Sequence, residues 1–162
     1  MLKQFVLSLA AVLALSACST TPENQAKGPC DGVRVVVDFG ILGEPKIDTC
    51  VAVDGKEILA STALSAAGIA LEGTATYGDQ IVCRVNDLPS ATQPIVIEGQ
   101  EPHLETCADM PPAFAYWALW VINDAEIGWE YATEGASSLK LSKGQSIGLA
   151  FASGDEAPNP DN

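Results

Sequence analysis

The sequence predicts an α+β domain with one helix laid across a mixed sheet. Three observations carry this reading. Short runs of β-branched and aromatic residues recur along the chain, separated by Gly, Pro, Asn and Asp. Within the expected domain only the run at 57–67 (EILASTALSAA) is rich in Ala and Leu and too long for a strand. The aromatics gather at 113–131, which holds Phe114, Tyr116, Trp117, Trp120, Trp129 and Tyr131, including all three tryptophans of the 162-residue chain.

Residues 1–17 stand apart from that domain. Lys3 gives a basic start, residues 5–15 form an apolar run too short to span a bilayer, and Leu15-Ser16-Ala17-Cys18 follows. Small residues before a cysteine read as a bacterial lipobox, with Cys18 the lipidated first residue of the mature protein. Acyl chains on Cys18 would tie the protein to the outer side of a cell membrane, each buried methylene contributing about 0.8 kcal/mol. Residues 18–29 hold that cysteine and a polar segment with two prolines and a glycine, the composition of a flexible tether.

The domain is expected over 30–151. Residues 33–39 (VRVVVDF) are β-branched and form a strand, 40–46 turn at Gly43 and Pro45, and 47–53 return as the second strand of a hairpin. The helix over 57–67 stops at Gly68. Residues 73–78 are a short strand or turn, and 81–86 (IVCRVN) a strand that Asp87-Leu88-Pro89 ends. From 90 to 112 runs a long acidic connection with 95–97 as a candidate edge strand, His103 as an exposed loop histidine and Cys107 as a pin. The aromatic stretch then forms a hairpin around residues 123–126. Pairing Ile122 with Ile127 sets Trp120 opposite Trp129 and Ala118 opposite Tyr131. A strand at 139–141 and a last strand at 146–151 complete the domain. Residues 152–162 are polar and Pro-rich, and are expected to be a disordered tail. The order β-β-α-β, long loop, hairpin, strand suits a β-grasp-like roll.

Beyond Cys18 four cysteines remain, an even number that reads as two disulfides in an exported chain. Of three connectivities, Cys30–Cys50 with Cys83–Cys107 closes a local loop around each strand pair. A zinc site is the alternative, but no C-x-x-C clip is present and His103 is the sole histidine. No metal or cofactor is expected.

The net charge is -13, and loss of Lys3 with the signal brings it to about -14. Such a surface repels nucleic acid and anionic lipid alike. One histidine, no thiol left over by two disulfides, no G-x-S-x-G and no spacing that singles out a carboxylate pair argue against an enzyme, so no catalytic residue is assigned. What remains is a binding module. Tyr116, Trp117, Trp120, Trp129 and Tyr131 are the candidate ligand-binding residues, since binding sites are largely apolar with few orienting polar groups. Against that stands ordinary cross-strand stabilisation of a hairpin by its tryptophans. The other function open to the chain is an envelope interaction domain that pairs by an edge strand.

Several stretches together resemble a known family: the opening hairpin VRVVVDF…CVAVDG, ILASTALSAAGI, IVCRVND before Leu88-Pro89, Pro111-Pro112, Tyr116-Trp117 with Trp120, Gly128-Trp129-Glu130-Tyr131, Gly135-Ala136 and the closing KGQSIGLAF. In these the chain resembles bacterial exported domains related to the C-terminal domain of transcobalamin and intrinsic factor. The resemblance implies a β-grasp-like fold, and as candidate partners a corrinoid-like small molecule or an importer subunit. In transcobalamin this domain covers one face of the corrinoid.

Overall fold

The computed structural model describes residues 30–154 and 157–161. The signal, Cys18 and the tether lie outside these. Nine strands and one α-helix occur among the described residues: β1 (Val33–Asp38), β2 (Ile47–Val51), β3 (Glu57–Leu59), α1 (Ala60–Ala66), β4 (Leu71–Thr74), β5 (Gly78–Val85), β6 (Ala115–Ile122), β7 (Glu130–Tyr131), β8 (Lys140–Ser142) and β9 (Ser146–Ser153). Five of them make one sheet in the order β2-β1-β9-β6-β7. β1 and β9 run parallel at its centre, and the other neighbours are antiparallel. The α+β class holds, and both disulfides, Cys30–Cys50 and Cys83–Cys107, pair as the local loops suggested.

Parallel strands are usually covered on both faces, and β9 is buried almost throughout, while β1 is apolar on one face and carries Arg34, Val36 and Asp38 on the other. Val33, Val35 and Val37 enter the main core with Ile147, Leu149 and Phe151. Trp117, Leu64 and Leu141 fill the space above them. After Ser146 the opposite face of β9 carries only Gly148, Ala150 and Ala152, so other groups can approach it closely.

Four local expectations change. The helix is shorter, because Glu57–Leu59 pairs with β8 as a strand. That pairing brings carbonyls to the helix start: Ala60 N–H bonds to Leu139 O and Ser61 N–H to Ala136 O, both at 2.8 Å. They satisfy helix-terminal donors that no side chain caps. Gly68, at φ 78°, ends the helix as expected.

The aromatic hairpin takes another register: Trp120 faces Tyr131 and Val121 faces Glu130. The turn is longer than the sequence suggested. Asp124 holds it, its carboxylate accepting Glu126 N–H at 2.9 Å and its carbonyl accepting the amides of Ile127 and Gly128 at 3.1 Å. Gly128 supplies a positive φ of 88°. Ile127 and Trp129 therefore leave the ladder, and Ile127 is exposed.

The described residues beyond 151 pack, contrary to the expected disorder. β9 continues to Ser153. Pro160 is buried on the second face of the sheet, over Gly148. Asp161 binds Arg34 and Trp129. A few side-chain anchors dock this segment without an apolar run, which is why composition missed it.

The acidic connection is also more than a solvated loop. Arg84 is buried and donates to Pro89 O at 2.9 Å, to the Glu72 carboxylate at 2.8 Å and to Glu105 O. The buried Glu105 carboxylate accepts Cys107 N–H at 2.6 Å and lies 3.3 Å from His103 Nε2. His103 is thus partly enclosed, edge-on to Phe114. The 95–97 edge strand reduces to a single bridge, Ile95 to His103.

A Cβ on Gly148 would lie 2.4 Å from Pro160 Cγ and 3.0 Å from the Trp129 ring. Gly148→Val is expected to destabilise the domain by about 1–3 kcal/mol through overpacking. A lower urea midpoint together with faster proteolysis beyond Ser153 would show it.

Candidate functional site

β6 holds the site together because its two edges differ. β9 pairs with it over its whole length. On the other edge β7 meets only Trp120 and Val121. Ala132 N–H reaches Leu119 O at 2.9 Å, and beyond it the chain turns toward β5, where Gly135 lies against Gln80, and toward α1, where Ala136 O accepts from Ser61. Since successive residues of a strand point their backbone groups to opposite edges, those of Trp117 face the uncovered side. No strand among the described residues pairs with them there.

That edge opens into a groove of about 660 Å³, a size typical of small-ligand sites. Tyr116, Trp117 and Leu119 form one wall, Tyr131 and Glu134 another, and Met110 with Ile81 close the remainder. Met110 and Tyr131 are exposed at the rim. The lining is apolar apart from a few polar groups, of which Glu134 bears charge.

Of the five aromatics singled out by sequence, the groove gathers Tyr116, Trp117 and Tyr131. Trp117 is chiefly a core residue. It is 6% exposed, packs edge-on against Phe39 and Phe151, and donates its indole N–H to Leu88 O at 3.0 Å. Trp120 and Trp129 lie on the second face instead, clustered with Ala118, Ala150 and Ala157. The Trp120 ring stacks on Tyr131 with centroids 3.9 Å apart, and its buried Nε1 has no hydrogen-bond partner. Trp129 Nε1 donates to Asp161 Oδ2 at 2.8 Å.

Register explains this second face. Asp48, Val36, Gly148, Trp120 and Tyr131 stand in one row across the five strands. Arg34 lies beside the row, gripping Asp48 through Nε at 3.0 Å and Nη2 at 2.7 Å, and Asp161 through Nη1 at 3.1 Å and Nη2 at 2.9 Å. These hydrogen bonds hold the guanidinium pKa above its ordinary value, Asp48 contributing most. The Arg34 bond likewise holds the Asp161 carboxyl below its usual range, against the opposing effect of burial. Sequence reasoning missed Arg34 and Asp161, and also Met110, Ile81 and Glu134, since no periodicity links segments so far apart.

Glu72, Cys83 and Cys107 approach one another within 4.8 Å. The two sulfurs are bonded to each other, so neither is a thiolate ligand.

Trp120→Ala is expected to cost about 3–5 kcal/mol, as for a buried large aromatic. Tyr131→Ala should cost about 0.5–1.5 kcal/mol, the worth of one exposed stacking partner. Urea unfolding of both variants separates the two. Because the folded-state pKa of Asp161 is depressed, its contribution is complete above the usual carboxylate range and is lost as pH falls through the lowered value. Trp129 fluorescence should therefore stay constant from neutral pH down to about pH 5 and change only in stronger acid. In Arg34→Gln the change should move to higher pH.

No family model, curated protein or solved structure matches this chain, so the use of the groove is read from its own residues.

Proposed function

We propose that this chain is an exported lipoprotein, anchored through Cys18 to the outer side of a cell membrane, and that its folded part is a non-enzymatic binding module. The sheet order, with first and last strands parallel at the centre and a hairpin on either side, supports a β-grasp topology for it. Two disulfides support an oxidising location. The groove beside β6 carries the functional reading. An apolar, aromatic-walled cleft with one charged group suits a flat, largely apolar molecule oriented by few polar contacts. A corrinoid-like ligand fits that description and agrees with the resemblance to the transcobalamin C-terminal domain.

A second reading has its own observation. The uncovered backbone at Trp117 offers an amide and a carbonyl to an added strand, the mode of an importer subunit or another envelope protein docking edge-on. Either way the acidic surface disfavours nucleic acid.

Intrinsic fluorescence of the soluble 19–162 protein, titrated with cobalamin and corrected for inner-filter absorption, tests the first reading. Saturable quenching at micromolar cobalamin is expected, weakened at least tenfold by Tyr131→Ala. A response that is absent or linear would remove the corrinoid and leave protein docking as the use of the groove.

A further inference from the structure

The second face of the sheet holds a contact between segment 157–161 and the strands beneath it that has the parts of a peptide complex. Its receptor half belongs entirely to the sheet and the 123–129 turn. Asp48 orients the Arg34 guanidinium through two hydrogen bonds, leaving Nη1 and Nη2 aimed at a carboxylate. Trp129 adds its indole donor to that carboxylate. Gly148 leaves a slot in which a methyl group would collide with Pro160 Cγ at 2.4 Å and Pro160 Cβ at 3.0 Å.

The ligand half is three residues, Asn159-Pro160-Asp161. Pro160 fills the slot and is fully buried. Asp161 meets the Arg34 fork in a two-pronged pairing, the geometry in which arginine recognises a carboxylate best. Asn159 Oδ1 accepts Asp161 N–H at 3.0 Å and so shapes the segment from within. A fixed proline φ and this internal bond lower the entropy lost on docking.

The contact is also weakly held. The Arg34–Asp161 pair is about one third to two fifths exposed (side-chain accessibilities 32% and 43%), and such pairs contribute modestly. Segment 157–161 supplies no strand to any sheet, so no strand pairing depends on it.

We propose that Arg34, Gly148 and Trp129 form a peptide-binding site for an Asn-Pro-Asp segment, filled in cis by residues 159–161 and able to take the same segment from a second copy of the chain. None of Arg34, Gly148 and Trp129 is a lining residue of the β6 groove. Recognition requires both elements of the ligand, a carboxylate for the Arg34 fork and a proline ring for the slot over Gly148. Neighbouring copies would then link by exchanging this segment, each satisfying the other's Arg34.

The test uses a chain covering 19–154, whose folding is checked by circular dichroism, and a synthetic peptide of residues 156–162. Fluorescence, reporting on Trp129, should show saturable one-to-one binding. Asp161→Asn in the peptide, or Arg34→Gln in the protein, should each weaken it at least tenfold. The 19–162 chain should need at least tenfold more peptide, because its own segment competes at an effective concentration of about millimolar. If the shorter chain does not fold, full-length Asp161→Asn becomes the acceptor, its cis segment lacking the carboxylate. A folded acceptor with no saturable response to several millimolar peptide overturns the proposal. Equal binding of the Asp161→Asn peptide overturns it as well.

Discussion

The structure depends on β9 being buried on both faces at once. Nearly every side chain of β9 is withdrawn from water, and its two faces do this unequally. Ile147, Leu149 and Phe151 supply bulk to the main core, where the helix, β1 and Trp117 meet them. Gly148, Ala150 and Ala152 on the reverse face supply none. Removing that second face from water therefore falls to other parts of the chain: the Trp120 and Trp129 rings and segment 157–161. The small residues of β9 and the placement of the tryptophans answer the same requirement from opposite sides.

Most of the main core was legible because it follows simple alternation. The valines of β1, the strand around Cys83 and the closing strand announce themselves by β-branching, and the disulfide pairing followed from loop locality. The errors arose where specific polar contacts override pattern. Asp124 holds a longer turn by its own carboxylate and carbonyl, and this moves Trp129 out of line with Trp120. Strand pairing with β8 takes Glu57, Ile58 and Leu59 away from a helix that their composition would permit. Arg84 and Glu105 are charged residues in a loop, yet they are buried because each finds backbone partners there.

The candidate site was only half legible. Sequence could single out the aromatics, since their density is unusual, but alternation alone cannot tell which face of β6 meets a core and which meets a groove. Trp117 proved to be mainly packing, and Tyr131 mainly rim. The opposite wall comes from segments near residues 81, 110 and 134, joined only by the path of the chain after β7. A two-residue β7 is itself the cause of the groove, because a longer partner strand would cover the backbone at Trp117.

The parallel pairing of β1 and β9 has a spatial consequence. Arg34 is level with Ser146, near where the chain enters at Cys30, while Ala115 is level with Ser153 at the other end of the same ladder. Seven residues of extended chain separate those levels, about 23 Å at the usual rise of a strand. The groove lies off the side of the sheet beside Tyr116 to Leu119, so it begins several residues of strand away from the end at which the chain enters. A chain held by residues ahead of Cys30 would carry the groove on its flank, reached from the side of the sheet and not through the end that is held.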